Sequence, residues 1–200
     1  MKRVALIVLL SIPAGLAVDK DKGRFAPGPA SSYPGHLTQE GITIAAVPYI
    51  TDEQAAAAFG KVNPYERGIL PVLVIVENGS GKPLRLDLKV QFVDLENHHL
   101  DAIPPEEVIT YQAIKKVPKI EPPSRFPIPV KKGPKKGPLN TPEIANRAFS
   151  VKLMPPGEKA YGFFYFEARY QPGSKLYLDG LSDASSGKQY FYFDVPLAKQ

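Results

Sequence analysis

The sequence has no cysteine, no tryptophan and only three histidines among its 200 residues. Without cysteine the chain has no disulfide, no thiolate metal site, no cysteine nucleophile and no lipid-modified N-terminal cysteine. Three histidines leave little material for imidazole chemistry. The 22 prolines and 16 glycines disfavour long helices and favour short strands joined by turns. The composition therefore indicates a β-rich chain that is stabilised by its hydrophobic core alone.

The N-terminus has the three-part pattern of a secretory signal peptide over residues 1–17. The segment begins with the basic residues Lys2 and Arg3, continues with an apolar stretch, and ends on the small residues Gly15 and Ala17. The apolar stretch is shorter than the roughly 20 residues of a membrane-spanning helix. We therefore expect the chain to be exported to the periplasm or the extracellular space, with a mature form that starts near Val18.

The rest of the chain predicts one domain that is preceded by a tail. Residues 18–40 contain frequent Pro, Gly and Ser, which is typical of a flexible N-terminal tail. A strand pattern then runs from residue 41 to residue 197 and is interrupted once, at about residues 115–140. Because neither half has enough strands to close a sandwich alone, we expect a single domain that contains a long insertion.

The positive charge of the chain is concentrated in that insertion, over residues 115–138. The whole chain has a formal net charge of +5, and a basic footprint confined to one loop argues against dedicated nucleic-acid binding. Frequent prolines predict an extended, solvated segment. It is either a soluble surface insertion or a docking arm for an anionic partner such as lipid headgroups, acidic polysaccharide or an acidic protein. The basic residues of this arm are Lys115, Lys116, Lys119, Arg125, Lys131, Lys132, Lys135 and Lys136.

Alternation and apolar runs predict short strands over most of the remaining chain. Apolar and polar residues alternate over residues 84–94, which is typical of a half-buried strand. Residues 69–77 form an apolar, largely β-branched run, typical of a strand buried on both faces. The intervening Asn78-Gly79 pair predicts a hairpin. It also begins a glycosylation sequon, but turn chemistry explains the residues without a glycan. Further strands are predicted over residues 42–50, 100–103, 149–153, 160–170, 175–181 and 189–195.

Short helices are predicted between some of these strands, and the whole pattern indicates the fold class. Thr51 and Gln54 fit a capping box, and Gly60 stands where the following helix ends. Pro105 and Pro142 occupy positions at which helices begin. Seven or eight strands, two or three short helices and a long Pro/Lys-rich loop predict an all-β fold, an antiparallel immunoglobulin-like β-sandwich.

Aromatic residues supply the most informative candidate for a binding site. They are concentrated between residues 161 and 193, and strict alternation along two strands would place four tyrosines on shared faces. If exposed, this row would form a flat platform for a sugar or a protein partner. The alternative is burial beneath helices or a facing strand, and the absence of tryptophan makes a sugar platform less favourable. The candidate binding face is Tyr161, Tyr165, Tyr190 and Tyr192.

Metal and catalytic chemistry have little support in the sequence. His98 and His99 lie in a polar turn close to Asp94, Glu96 and Asp101. They are weak candidates for a copper or zinc site, and a turn that binds no ligand explains them as well. The sequence contains no G-x-S-x-G elbow, phosphate loop or G-x-G-x-x-G motif. We therefore predict no catalytic residue, no cofactor and no enzymatic activity.

Four stretches carry a resemblance to known proteins. They are FGKVNPYERGILPVLVIVENGSGKPLRLD, LMPPGEKAYGFFYFE, LYLDGL and YFYFDVPL, over residues 59–87, 153–167, 176–181 and 190–197. In strand and turn pattern they resemble segments of uncharacterised exported bacterial proteins with an immunoglobulin-like sandwich. The resemblance implies the same fold and compartment, and it favours a non-enzymatic role without assigning functional residues.

Together these patterns predict a secreted or periplasmic, non-catalytic binding or assembly module of the cell envelope. Its partner would be another envelope or extracellular protein or an anionic surface polymer, and no transmembrane helix is expected in the mature chain. The alternative is a small-ligand carrier for a carbohydrate or a metal ion, which would use the aromatic face or the His98-His99 turn.

Overall fold

The computed structural model of the protein describes residues 25–111 and 137–199. The predicted signal peptide, the first part of the predicted tail and all eight basic residues of the predicted docking arm lie outside these ranges. They therefore stay predictions.

Within the described ranges nine strands form two antiparallel sheets. The strands are β1 (His36–Gln39), β2 (Ile42–Pro48), β3 (Leu70–Asn78), β4 (Leu84–Val93), β5 (His99–Asp101), β6 (Leu153–Met154), β7 (Lys159–Phe166), β8 (Lys175–Asp183) and β9 (Phe193–Pro196). A four-stranded sheet has the order β1-β2-β3-β7, and a five-stranded sheet has the order β5-β4-β8-β9, with β6 also paired to β4. One apolar cluster joins the facing sides of the two sheets. The prediction of an all-β sandwich is confirmed.

Strand β3 is buried on both faces. Val72, Val74 and Val76 pack in the cluster between the two sheets, whereas Leu73 and Ile75 pack in a second cluster on the outer side of the four-stranded sheet. A strand with core on both sides needs apolar side chains at successive positions. The prediction from the apolar run at residues 69–77 is confirmed.

Three short helices cover the outer side of the four-stranded sheet. Phe59, Val108 and Ile144, one from each helix, are buried in the second cluster with side chains of β3 and β7. This layer gives the four-stranded sheet a core on each side. The helices are α1 (Asp52–Phe59), α2 (Pro105–Thr110) and α3 (Pro142–Asn146).

Helix α1 begins and ends where the sequence predicts. The Gln54 amide donates to the Thr51 hydroxyl over 3.3 Å, and the Thr51 amide donates to the Gln54 side-chain oxygen over 3.2 Å. These reciprocal bonds satisfy two main-chain donors that a helix start otherwise leaves free. The helix ends at Gly60, whose φ of +70° suits glycine. The capping-box prediction is confirmed.

The Asn78-Gly79 pair does not form the predicted hairpin. Strand β3 pairs with β2 and β7, whereas β4 pairs with β5, β6 and β8, so the chain crosses from one sheet to the other between them. A two-residue hairpin needs the second strand to resume directly after Gly79, but β4 begins only at Leu84.

Asn78 fixes this crossing with its side chain, which is 1% exposed. Its amide nitrogen donates to the main-chain carbonyls of Lys82 (2.7 Å), Met154 (3.3 Å) and Pro155 (3.0 Å). Its side-chain oxygen accepts from the Ser80 amide and hydroxyl. A glycan on the amide nitrogen would displace these bonds, so the geometry favours the turn interpretation of this sequon.

The folded part extends further toward the N-terminus than predicted. Within the stretch expected to be a tail, Ala30–Ser32 form a 3₁₀ turn and β1 pairs with β2. Ala30 is fully buried, and its amide donates to the Glu77 carboxylate over 3.0 Å. This stretch is rich in glycine and proline, but it is packed against the protein. Its few apolar side chains contact the four-stranded sheet.

The strand predicted over residues 149–153 is shorter in the structure. Only Leu153 of these residues belongs to β6, and Phe149 instead donates its amide to the Phe163 carbonyl of the other sheet. The segment crosses between the sheets, so its main chain cannot follow a single strand direction.

A β-bulge interrupts the regular register of the five-stranded sheet. Between the pairs Leu86–Leu181 and Lys89–Asp179, strand β4 has two residues where β8 has only Gly180. Gly180 has a φ of +90°, and a Cβ there would collide with the Asp87 carbonyl oxygen. The bulge therefore requires glycine for both its backbone angle and its close approach to β4.

Replacement of this glycine should destabilise the fold more than replacement of a glycine with a similar backbone angle and free space. We expect Gly180→Ala to lower the free energy of unfolding by more than about 2 kcal/mol, because backbone strain and overlap add. Gly187, with φ of +74° and no atom near its Cβ position, is the control, and Gly187→Ala should cost about 1 kcal/mol from strain alone. Urea unfolding monitored by circular dichroism measures both values, and equal losses would contradict the role assigned to the bulge.

Asp183 stabilises the turn that follows β8. It is buried and accepts hydrogen bonds from the Ser186 hydroxyl (2.7 Å) and the Ser185 amide (2.8 Å). The Lys82 ammonium lies 3.5 Å from the carboxylate. These interactions, with the Ser186 hydroxyl bond the largest, lower the pKa of Asp183 from 3.8 to about 2.

The stability that Asp183 contributes should depend on pH. Because the folded state favours the carboxylate, the contribution is fully present above about pH 4 and is lost as the pH falls toward about 2. Asp183→Asn should therefore lower the melting temperature at neutral pH, with a difference from the native chain that shrinks over that acidic window. Glu66→Gln, at an exposed position, is the control. A difference that stays constant with pH would contradict this account.

Candidate binding surface

The structure does not bring the four predicted face tyrosines together. Tyr161 and Tyr165 lie on β7 at the outer side of the four-stranded sheet, whereas Tyr190 and Tyr192 lie just before β9. Tyr165 is 1% exposed and Tyr190 is 8% exposed. A common platform of these side chains is not formed, which corrects the prediction. Tyr192, 52% exposed, is the most exposed of the four.

Tyr165 is buried because helix α3 covers it. Its hydroxyl donates to the Ile144 carbonyl over 2.8 Å, and its ring packs with those of Phe59 and Phe163. Burial raises the pKa of the Tyr165 hydroxyl well above its ordinary value. The side chain links the helix layer to the sheet and is not available to a partner.

Tyr161 is half-buried beneath the segment that precedes β1. Its hydroxyl donates to the Phe25 carbonyl over 3.1 Å, and the ring centroids of the two residues lie 6.3 Å apart. The Phe25 ring also contacts Tyr49 and Phe163, and the Arg147 guanidinium lies 4.7 Å from its centre. Residues near Phe25 therefore complete the cover over the four-stranded sheet.

Strict alternation fails around Tyr190 because the inward and outward sides change at the level of the bulge. The change occurs both in residues 190–193 and in the neighbouring strand β8. Tyr190 and Phe193 point into the core, while Phe191, 72% exposed, and Tyr192 both point outward. On the neighbouring strand β8 the inward residues Leu178 and Leu181 are likewise separated by two residues instead of one. The three-residue spacing of these leucines around Gly180 is the sequence signal that could have revealed this phase change.

The outward side of the five-stranded sheet carries an aromatic cluster without a covering layer in the described ranges. The Tyr177 and Tyr192 rings stack with centroids 5.1 Å apart, and the His99 ring meets Tyr177 edge-on at 5.8 Å. Phe191 directly precedes Tyr192 in the sequence and is also exposed. We call Tyr177, Phe191 and Tyr192 the exposed aromatic face. Of these residues, only Tyr192 belongs to the binding face that the sequence predicts.

Polar side chains surround the exposed aromatic face. The His99 Nδ1 atom lies 2.8 Å from the Gln91 side-chain oxygen, and the Gln91 amide nitrogen donates to Asp101 over 2.7 Å. Lys175 and Asp194 form an ion pair of 2.9 Å. The surface thus combines ring faces with hydrogen-bonding groups whose positions are already fixed, which is the composition of a recognition surface.

The two adjacent histidines contact different partners. His98 Nδ1 lies 3.0 Å from the Asp94 carboxylate, while His99 contacts Gln91. The hydrogen bond from the His98 main-chain amide is the largest cause that lowers the pKa of Asp94. Across residues 25–111 and 137–199, no group of three or more His, Asp or Glu side chains could hold a metal ion.

Comparisons with known proteins assign neither a family nor a function to the chain. No protein-family model matches the chain, and no curated protein matches it either. None of the helices described is long and apolar enough to cross a membrane.

A matched pair of tyrosine substitutions tests the assignment of buried and exposed rings. Tyr165→Phe removes the hydroxyl bond to α3 and leaves the Ile144 carbonyl without that donor, so we expect a loss of about 1 kcal/mol in the free energy of unfolding. Tyr192→Phe removes an exposed hydroxyl and should change stability by less than about 0.5 kcal/mol. Urea unfolding compares the two, and a larger loss for Tyr192→Phe would contradict the assignment.

Proposed function

We propose that this protein is an exported, non-catalytic binding or assembly module of the cell envelope. Its contact surface is the exposed aromatic face. The presence of this surface is the observation that supports the proposal most strongly. Export rests on the signal-peptide pattern of residues 1–17. The non-catalytic role rests on the side chains at this surface, which offer ring faces and hydrogen bonds without an evident nucleophile and general base.

The sheet topology supports an immunoglobulin-like identity for the fold. In that fold, strands A, B and E lie in one sheet, and C, F and G lie in the other. Here β2, β3 and β7 are neighbours in one sheet and β4, β8 and β9 are neighbours in the other. The chain also changes sheets between β3 and β4, as it does between B and C. Because this fold serves many functions, the analogy supports the architecture alone. The function is inferred from the side chains at the surface.

The exposed aromatic face has the properties of the centre of a protein interface. Aromatic rings bury a large apolar area and lose little conformational freedom, so they contribute strongly when a partner excludes water from them. Among the described residues, Phe191 is the most exposed of the large apolar side chains. Charged groups of both signs, such as Lys175 and Asp194, surround the rings. This mixed rim favours an envelope or extracellular protein as the partner.

The basic arm of residues 115–138 is proposed as a second contact. Its eight basic residues would attract an acidic partner or an anionic surface polymer at long range. Such attraction is screened by salt, whereas contacts of the aromatic face are mainly apolar. The two contributions can therefore be separated experimentally.

Substitution of the exposed rings tests the function. Phe191→Ala combined with Tyr192→Ala should reduce recovery of partners from envelope extract at least about tenfold, because loss of a central ring costs about 2 kcal/mol. Leu95→Ala, another exposed apolar position, is the matched control and should leave recovery unchanged. Quantitative mass spectrometry of cross-linked partners gives the readout. Equal recovery with both variants would rule out the aromatic face as the contact surface.

A separate variant tests the arm. Replacement of its eight basic residues by glutamine should remove the salt dependence of partner recovery, with residual binding through the aromatic face. If recovery and its salt dependence both stay at the native level, the arm is a solvated insertion and takes no part in binding.

A carbohydrate is the second candidate partner. The stacked Tyr177 and Tyr192 rings lie in the same sheet as the Gln91–Asp101 hydrogen bond, and rings with nearby amide and carboxylate groups suit sugar recognition. Calorimetric titration with a panel of envelope glycans tests this version. Absence of heat with every glycan, together with retained protein binding, would reject it and keep the first proposal.

A further inference from the structure

Strand β5 lies at one end of the five-stranded sheet. Among the described residues it pairs only with β4, which lies on one side of its main chain. Its three residues, His99, Leu100 and Asp101, are all exposed. The terminal strand of a sheet presents donors and acceptors with which another extended chain can pair.

The hydrogen bonds on either side of β5 show which of its main-chain groups form this edge. The His98 carbonyl and the Ala102 amide both bond to the β4 segment. Because alternate residues of an antiparallel strand face the same neighbour, Leu100 also faces β4, whereas the amides and carbonyls of His99 and Asp101 point away from it. Outside the strand ladders, no hydrogen bond in residues 25–111 and 137–199 uses these four groups.

The other terminal strands are less open. Strands β1 and β9 contact each other, and near them a Cβ at Gly35 would collide with the Pro196 carbonyl oxygen. Strand β7 is bridged by Ile103 and Ala148. We therefore expect an added strand to pair with β5.

The sequence of β5 is complementary to an antiparallel copy of itself. With a two-fold axis at Leu100, His99 of one copy would lie opposite Asp101 of the other, and the reverse pair would form at the same time. All of these residues direct their main-chain groups away from β4, so each pair would exchange both of its N–H···O bonds. In both pairs an imidazole would face a carboxylate, and no like charges would be opposed.

Leu100 would provide an apolar contact at the centre of the paired strands. Its side chain is 40% exposed, and the residue lies opposite Phe92 of β4, whose side chain packs in the core between the sheets. Across the two-fold axis the two Leu100 residues would form a pair without hydrogen bonds, in which side chains approach most closely. Pairing would thus cover an apolar side chain that a single copy leaves exposed.

We propose that β5 is a dimerisation edge that pairs with β5 of a second copy of this chain. The two five-stranded sheets would then form one continuous antiparallel sheet. A two-fold axis perpendicular to a sheet preserves its faces, so both exposed aromatic faces would lie on the same side. Since β5 is short, the contact area is small and the dimer is weak and reversible. The dimer uses an edge instead of the exposed aromatic face, so its test does not depend on the function proposed above.

Sedimentation equilibrium of the full chain, from about 10 µM to about 1 mM, tests the dimer and its register. The native chain should shift from monomer toward dimer over this range. Asp101→Arg and His99→Glu should each weaken association at least about tenfold, because each replaces both complementary pairs. Glu96→Arg, exposed in the turn before β5, is the matched control and should leave association unchanged.

A mixture of the two charge variants tests the opposed pairs directly. An equimolar mixture of Asp101→Arg and His99→Glu should restore association to within about threefold of the native value. In the mixed dimer the introduced arginine would face the introduced glutamate, and the other pair would stay His99 with Asp101. A loss of folding in either variant would not be repaired by mixing, so restoration reports the contact between copies.

A leucine pair tests the centre of the paired strands. Leu100→Glu would oppose two like charges at the two-fold axis and should abolish the dimer. Leu95→Glu, at a leucine that is 60% exposed and outside β5, is the matched control, and thermal unfolding checks that each variant is folded. A native chain that stays monomeric throughout the range, a dimer that persists in Leu100→Glu, or a mixture that associates no better than its components would each overturn the proposal.

Discussion

Burial of β3 on both faces is the constraint on which the architecture depends. Its successive apolar side chains each contribute roughly 1.5–3 kcal/mol when removed from water, so the strand needs a layer on either side. The five-stranded sheet supplies one layer, and the three helices together with the segment around Phe25 supply the other. These covering elements pack on the four-stranded sheet. Among residues 25–111 and 137–199, no element covers the outer side of the five-stranded sheet, and Phe191 and Tyr192 are exposed.

The features that the sequence could predict are those determined by local chemistry. The capping box of Thr51 and Gln54, the alternation along β4 and the apolar run of β3 each depend on neighbours within a few residues, and each appears in the structure. The prediction of a hairpin at Asn78-Gly79 is wrong because strand pairing is a long-range property, and neither residue determines which sheet contains β4. The composition of the segment before β1 predicts a tail. It gives no indication of the contacts that Ala30 and Phe25 make with residues distant in the sequence.

The candidate site was predictable only in part for a related reason. Placing Tyr190 and Tyr192 on one face assumed a period of two along the strand, but the bulge in β4 opposite Gly180 changes the phase of the neighbouring strands. That change turns Phe191 outward and Tyr190 inward. It also leaves Leu88 outside the strand ladder. The exposed aromatic face thus borders this irregularity in the five-stranded sheet.

Hydroxyl-radical footprinting of the full chain, with oxidation measured residue by residue, tests most directly the claim that one sheet is covered and the other is open. Oxidation of Phe191 and Tyr192 should be fast, whereas Phe163 and Tyr165 should be protected until the protein is unfolded. Comparable oxidation rates for the two pairs in the folded protein would show that the helix layer does not cover the four-stranded sheet, and they would contradict the account.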